Sequence, residues 1–300
     1  MIYNQIIELP ILKEKRISLS IKREDLIHPL ISGNKYRKLK YNIERLKRSK
    51  ENTILTFGGA YSNHIAATAY AGKLHGIRTI GVIRGDELKE IWQDNPTLLN
   101  ASRNGMEFAF VTREDYRVDK RSGLLKRLRE EFGDFFLLPE GGTNVLAVKG
   151  CEEILKEKDK DFDVISCAVG TGGTLAGIIN SAGAKQSILG FPILKGDFLK
   201  EDICKFVENT NWKLCPDYHF GGYAKVNINL INFINEVNRT NSLPLDPIYT
   251  GKMIFGLIDL ISKDYFKPNT KILAIHTGGL QGIKGMNQYL ENKNLPLISI

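Results

Sequence analysis

The spacing of apolar and polar positions changes several times along the chain, and each change marks an element. Residues 17–22 (Ile-Ser-Leu-Ser-Ile-Lys) alternate with a period of two, which predicts a half-buried strand. Over 36–47 the period lengthens. Leu39, Ile43 and Leu46 fall on one face at spacings of four and three, which predicts a helix. From residue 53 onward a short apolar run, a turn and a helical stretch recur. The runs at 53–57, 78–83, 107–111 and 135–138 read as strands. Helices are expected between them: from Ser62 or Asn63 to His75, from Asn95-Pro96 onward, and over 124–132. Ser62 and Asn63 suit a helix start because each side chain accepts a backbone N–H, and Pro96 is tolerated at a first helical position.

Further on, Pro139-Glu140-Gly141-Gly142-Thr143-Asn144 forms a Gly-rich junction, followed by a helix to about residue 156. Then come a buried strand at 163–169, a helix at 175–181, a strand at 187–191, helices near 197–208, 226–239 and 250–262, and a last strand at 271–276. Strands alternating with helices imply parallel sheets with helices on their faces, an α/β fold. With 300 residues, 42% of them hydrophobic, the chain is long enough for two such lobes. Placing the return between lobes at the 139–144 junction gives a small α/β domain over 47–144. The large domain then comprises 1–46 plus 145–300. No internal repeat or low-complexity tract is present.

Charge changes this picture little. Lys and Arg number 42 against 34 Asp and Glu, a formal charge of +8. Such an excess invites a nucleic-acid partner, but the basic residues are scattered through amphipathic stretches without a tail or stripe, so none is expected. The surface attracts anions in a general way. Cys151, Cys167, Cys204 and Cys215 contain no C-x-x-C pair, so neither a disulfide framework nor a zinc site is expected. Polar residues from Asn4 onward do not suit a signal peptide, and no apolar run approaches membrane-spanning length. A soluble cytoplasmic protein is the expectation.

Three stretches carry candidate chemistry. In Ser32-Gly33-Asn34-Lys35, Lys35 follows a small turn and opens a helix, with Lys38 one turn further on. A lysine in an apolar pocket beside another cation loses its proton easily and becomes a nucleophile, although most lysines are simply solvated. Gly170-Thr171-Gly172-Gly173-Thr174 lies between a strand and a helix. Glycines allow close approach of a ligand, and a helix N-terminus offers unpaired N–H groups to a phosphate. Alone, it reads equally as a tight connection. It is neither a Walker loop nor a dinucleotide fingerprint, because no G-K-[ST] follows and Gly177 comes too late. Gly58-Gly59-Ala60-Tyr61-Ser62-Asn63-His64 could seat a carboxylate, although an ordinary N-cap is the simpler reading when it is taken alone. Together, one amine and two anion cradles suit a phosphate-bearing cofactor joined to an amino acid.

With these residues in view the sequence resembles the 1-aminocyclopropane-1-carboxylate deaminase/D-cysteine desulfhydrase family. That family is a branch of the fold-type II pyridoxal-phosphate enzymes, related to the tryptophan synthase β subunit. The blocks that carry the resemblance span nearly the whole chain. They are Lys22-Arg23-Glu24-Asp25, Ser32 to Leu39, Gly58 to His64, Pro139-Glu140-Gly141-Gly142, Gly170 to Thr174, Asp246-Pro247-Ile248-Tyr249-Thr250-Gly251-Lys252, and His276-Thr277-Gly278-Gly279. The resemblance implies two open parallel-sheet α/β lobes with pyridoxal 5′-phosphate in the cleft between them. It implies that Lys35 holds the cofactor covalently and later carries protons. Lys38 and the amides of Gly170, Thr171, Gly172, Gly173 and Thr174 would grip the phosphate. Asn63 would bond the phenolic oxygen, and Thr277 would face the pyridine nitrogen. Ser62, Asn63 and His64 would hold the substrate carboxylate, with the Ser62 hydroxyl near the reacting carbon. Tyr249 would lie close to the ring, and Tyr223 is matched to a second active-site tyrosine. Homodimers are common among such relatives.

The implied function is a lyase or deaminase acting on a small amino acid. One departure orders the alternatives. Deaminases of aminocyclopropane carboxylate tend to carry Tyr-Glu where this chain has Tyr249-Thr250, and that glutamate would keep the pyridine nitrogen protonated. A neutral Thr277 hydroxyl would not. β-Elimination from D-cysteine or a similar β-substituted amino acid, giving pyruvate, ammonia and the leaving group, therefore ranks above ring opening to 2-oxobutanoate and ammonia. A pyridoxal-phosphate-binding protein without catalysis is the rival of another class. A nicotinamide oxidoreductase fits less well, for want of the glycine spacing and a ribose-binding acid.

Overall fold

The computed structural model describes residues 2–299. Its strands are β1 (Asn4–Ile6), β2 (Ser18–Lys22), β3 (Thr53–Gly58), β4 (Arg78–Arg84), β5 (Met106–Val111), β6 (Phe136–Leu138), β7 (Val164–Val169), β8 (Ser187–Pro192), β9 (Trp212–Leu214) and β10 (Lys271–Ile275). The helices are α1 (Pro10–Lys15), α2 (Asn34–Lys47), α3 (Asn63–His75), α4 (Pro96–Arg103), α5 (Arg121–Phe132), α6 (Val145–Glu152), α7 (Gly173–Ser181), α8 (Phe198–Cys204), α9 (Ile228–Asn241), α10 (Thr250–Ser262) and α11 (Ile283–Glu291).

The strands form two sheets. A six-stranded sheet has the order β1-β2-β10-β7-β8-β9, and a four-stranded sheet the order β5-β4-β3-β6. Every pairing is parallel except β1 with β2, where Asn4 faces Lys22 and Ile6 faces Ser20. Parallel strands buried on both sides lose their alternation, and β7 shows this: all six of its residues are buried. One face of the large sheet packs Leu19, Ile21, Ala168 and Phe191 against α9 and α10 through Leu230, Ile234, Met253 and Leu257. The other packs Ile165, Cys167 and Val169 against Leu175, Ile178 and Ile179 of α7 and Val148 and Cys151 of α6.

Helix α2 joins the two layers. Its apolar face, Leu39, Ile43 and Leu46, lies on the small sheet with Ile54, Ala67, Phe136 and Leu138. Its first turn is fixed to the large one, where Asn34 donates its backbone N–H to the Thr277 carbonyl at 3.2 Å. Gly33 caps the helix with φ of +61°, and a Cβ there would overlap the Thr277 carbonyl. Only glycine fits such a turn. Two residues past Lys35, Arg37 makes a buried fork to Glu24 at 3.0 and 3.1 Å. Removing either partner of such a pair costs about 3–5 kcal/mol. Lys35 therefore stands at the boundary between the sheets on a helix held from both sides. The turns after β3, β7 and β10 open at the carboxyl ends of their strands, where open α/β sheets bind ligands. Among the described residues no helix is long and apolar enough to cross a membrane.

Candidate active site

The cleft between the sheets is lined by Lys35, Lys38, Ser62, Asn63, His64, Gly170, Thr171, Gly172, Thr174, Tyr223, Tyr249 and Thr277. These are the residues singled out from the sequence, and they come together from six separate stretches. Gly173 lies just behind, where a Cβ would stand 3.3 Å from the Lys38 ammonium.

Two amines meet one carbonyl. Lys35 Nζ lies 3.3 Å and Lys38 Nζ 3.0 Å from the Gly141 oxygen. Lys38 also donates to Thr143 Oγ1 at 2.9 Å and Thr171 Oγ1 at 3.4 Å. Burial pushes the Lys35 pKa well below the ordinary lysine value, and the adjacent Lys38 charge lowers it further. Burial lowers Lys38 as well. A buried lysine whose pKa is lowered in this way gives up its proton more readily and becomes a nucleophile.

Opposite them, the turn after β7 runs into α7. Gly172 occupies the cap position with φ of +80°, and no side chain caps the helix. The first N–H groups of α7 are thus left for an anion, at the positive end of the helix dipole. A Cβ on Gly172 would press on Ile203 at 2.8 Å.

The turn after β3 is built differently. Ser62 Oγ caps α3, accepting from the N–H of His64 at 3.2 Å and of Ile65 at 3.3 Å. Its own proton remains free to donate. Asn63 has its amide fixed by Gln281, whose Nε2 donates to Asn63 Oδ1 at 2.6 Å, so the Asn63 Nδ2 hydrogens are the available donors. The His64 ring is turned away from this task. Thr56 Oγ1 donates to the Leu138 carbonyl at 2.9 Å, so it must accept from His64 Nε2–H at 2.8 Å. His64 is neutral: burial and the Lys35 and Lys38 charges hold its pKa well below the usual histidine value.

At the remaining wall, Tyr249 and Tyr223 meet edge to face, with ring centres 6.4 Å apart. Burial raises both hydroxyl pKa values, that of Tyr249 well above the ordinary one, so both are protonated at neutral pH. Thr250 does not reach the cleft. Its hydroxyl donates to Asp246 Oδ1 at 2.7 Å, and the same carboxylate accepts the N–H groups of Ile248, Tyr249 and Thr250. Among the described residues, Glu140 is the one carboxylate on the lining of the cleft, and Arg121 holds it at 2.9 Å.

Sequence reasoning passed over Arg84, Glu140, Gly141, Thr143 and Gln281 as site residues. Gly141 and Glu140 sit inside a block already quoted, whereas Arg84 and Gln281 belong to no motif.

The donor set fits pyridoxal phosphate: an uncapped helix start and a lysine for a phosphate, a second lysine poised to lose its proton for an aldehyde, and a free amide for a phenolic oxygen. An α/β fold with two parallel sheets and such a cleft is that of fold-type II pyridoxal-phosphate enzymes. Residues 2–193 match the family model described as pyridoxal-phosphate dependent enzyme, and the chain belongs to that family. Among curated proteins it is 32% identical to a Thermotoga maritima protein provisionally named 1-aminocyclopropane-1-carboxylate deaminase, over 91% of this chain and 92% of that one. It is 30% identical to the mitochondrial bifunctional D-cysteine desulfhydrase/1-aminocyclopropane-1-carboxylate deaminase of Arabidopsis thaliana, over 88% of this chain and 73% of that one. A crystal structure described as an ACC deaminase homologue superposes with a TM-score of 0.82 at 27% identity, covering 97% of this chain and 93% of the other.

Proposed function

We propose that the protein catalyses β-elimination from a small β-substituted amino acid, D-cysteine or a close analogue, releasing pyruvate, ammonia and the leaving group. The observation that carries this choice is Thr250. It stands where a ring-opening enzyme would place a carboxylate, and its hydroxyl is consumed by Asp246. Thr277 would face the pyridine nitrogen, and Glu140, the one carboxylate among the described residues lining the cleft, is held by Arg121. Elimination tolerates such a neutral partner because the departing group carries the electron pair away, whereas opening a cyclopropane requires stronger electron withdrawal.

Pyridoxal phosphate, when bound, stabilises negative charge at the substrate α-carbon. The chain's own residues do the rest. Lys38 and the amides of Gly170–Thr174 would hold the phosphate, and Asn63 Nδ2 would donate to the phenolic oxygen. The Ser62 hydroxyl and the Asn63 backbone N–H seat the α-carboxylate, since the His64 N–H is spent on Ser62 Oγ and its ring is committed to Thr56. Lys35 Nζ takes the α-proton as general base, a role its depressed pKa suits. Tyr249, kept protonated by burial, can hand a proton to the departing thiolate, with Tyr223 packed against it.

The names of the relatives favour a second reading, ring opening of 1-aminocyclopropane-1-carboxylate. Adding pyridoxal phosphate to the purified protein and screening D-cysteine, L-cysteine, D-serine and aminocyclopropane carboxylate separates the readings. Pyruvate from a β-substituted amino acid is expected. 2-Oxobutanoate as the sole product would transfer the assignment to ring opening. Bound cofactor with no turnover of these four or of any other β-substituted amino acid would leave a binding protein.

A further inference from the structure

Arg84, the last residue of β4, lines the mouth of the same cleft. Its Nη2 lies beside the carboxylate cradle, 3.9 Å from where a Cβ on Gly59 would stand. Its charge reaches the Tyr223 hydroxyl, whose pKa it draws down against the upward push of burial. Among the described residues it has no carboxylate within ion-pair distance, because Glu140 is engaged by Arg121. The guanidinium does lie 5.7 Å from the Tyr116 ring centre. That contact is near the outer limit of a cation–π interaction, and Arg121 already occupies the ring at 5.4 Å.

In the site as proposed, the other cations each have a task, Arg121 holding Glu140. A cofactor phosphate is met by Lys38 and the start of α7. A substrate α-carboxylate is met by the Ser62 turn. Lys35 must be neutral to accept a proton. Among the described residues lining the cleft, Arg84 is then the one cation with no anion assigned to it, and a guanidinium is the side chain best shaped to bind an oxyanion with two parallel hydrogen bonds.

We infer that Arg84 is a specificity-determining residue, selecting amino acids whose β-substituent carries a negatively charged oxyanion. The inference rests on the elimination reading above and moves its preferred substrate from D-cysteine, whose thiol carries no oxyanion, to this class. In the reaction the α-proton passes to Lys35 Nζ, and the Cβ–X bond breaks with its electron pair on X. Water then hydrolyses the released enamine to pyruvate and ammonia. Arg84 holds X through binding and departure.

The test uses the holoenzyme with O-phosphoserine as the charged substrate and β-chloroalanine as the neutral one, both enantiomers of each. Wild type, Arg84→Gln and Arg84→Lys are compared. Arg84→Gln should lower kcat/KM for O-phosphoserine about ten- to a hundredfold, chiefly through KM, as expected for loss of a charge-assisted hydrogen bond. Arg84→Lys should recover part of it, β-chloroalanine should change little, and added salt should weaken only the charged substrate. An equal loss for both substrates would mean that Arg84 serves the α-carboxylate or the fold, and would overturn the inference. So would wild-type turnover of β-chloroalanine with indifference to charge. Silence of wild type towards both substrates would instead remove the elimination reading, and this inference with it.

Discussion

Lys252 Nζ donates to the Gly222 carbonyl at 2.9 Å and to the His219 carbonyl at the same distance. Lys252 stands three residues after Tyr249 in the chain, and the two carbonyls belong to the turn that carries Tyr223. That turn is held in an unfavourable backbone conformation. Phe220 and Ala224, with side chains, both take φ of +55°, flanking Gly221 and Gly222 at +99° and +120°. Left-handed non-glycine residues cost about 1–3 kcal/mol each and persist where the surroundings over-determine them. One ammonium, 1% exposed, supplies that constraint and ties the second tyrosine to the helix of the first.

Replacing Lys252 by Met should therefore free the Tyr223 turn and lower kcat. It should also alter the pH dependence of stability in a defined sense. Burial pushes the Lys252 pKa down to about 8, from an ordinary value of 10.5. Between those values the unfolded chain binds more protons than the folded one, so the fold gains stability as pH rises through the window. Urea unfolding at stepped pH should show wild type gaining on Lys252→Met from about pH 8 towards 10.5. A gap that does not change with pH would place the amine in water.

The paired amines on the Gly141 carbonyl make a second prediction. Since the Lys38 charge helps to depress Lys35, Lys38→Met should raise the Lys35 pKa. Pyridoxal, which lacks the phosphate, isolates this effect. Its borohydride-fixed capture by apoprotein should follow a pH profile displaced to higher pH in Lys38→Met and should vanish in Lys35→Met. An unmoved profile would separate the two lysines electrically.

How much of this was legible beforehand follows from where the signals lie. The α/β class and the strands from 53 to 138 could be read because short apolar runs alternate with capped, 3.6-period stretches. One amine and two anion cradles could be read because Lys35, the Ser62 turn and the Gly170–Thr174 turn each sit at a strand or helix end, whereas the cleft between two lobes was implied by the family resemblance. Strands β1 and β9 are three residues long and carry no period to detect. Helix α11 has Ile283, Met286 and Leu290 at helical spacing, but Gly285 and the glycines just before it mask the start. Gln281 and Arg84 were invisible for another reason. Their partners, Asn63 and the cleft, are distant in sequence, and no local pattern encodes a contact of that range. The ring of His64 illustrates the same limit: its orientation depends on Thr56 and Leu138, on two neighbouring strands.

Thr250 supplies a third prediction. It works through Asp246, whose carboxylate collects the N–H groups that open α10. Thr250→Val removes the hydroxyl, which donates to the Asp246 carboxylate and accepts from the Asp246 N–H at 3.1 Å. A loss of about 1–3 kcal/mol in stability is expected, the cost of leaving buried partners unmet. KM for the amino-acid substrate should stay close to that of wild type, because the hydroxyl does not line the cleft. A large rise in KM with unchanged stability would place Thr250 against the ligand instead.

The proton on His64 can be assigned by exclusion, and it has a consequence in acid. Leu138's carbonyl can only accept, so the Thr56 hydroxyl spends its one hydrogen there and receives Nε2–H from the ring. Nδ1 then carries a lone pair with no partner among the described residues, buried beside Gly142. Protonating that nitrogen would set a charge in a dry site already facing two lysines, which is why its pKa lies well below 6.5. An unfolded chain takes up the proton near 6.5 and the folded chain does not, so stability falls as pH drops below that value. His64→Gln should flatten this acid limb, and nitrogen-15 spectra of the wild type should show an Nε2–H ring still neutral under conditions where exposed histidines have titrated. Thr56→Val should destabilise by about 1–3 kcal/mol, while Thr56→Ser, which keeps both hydrogen bonds, should recover most of it. A ring that titrates near 6.5 would mean that water or an acidic partner reaches Nδ1, and would undo the tautomer assignment.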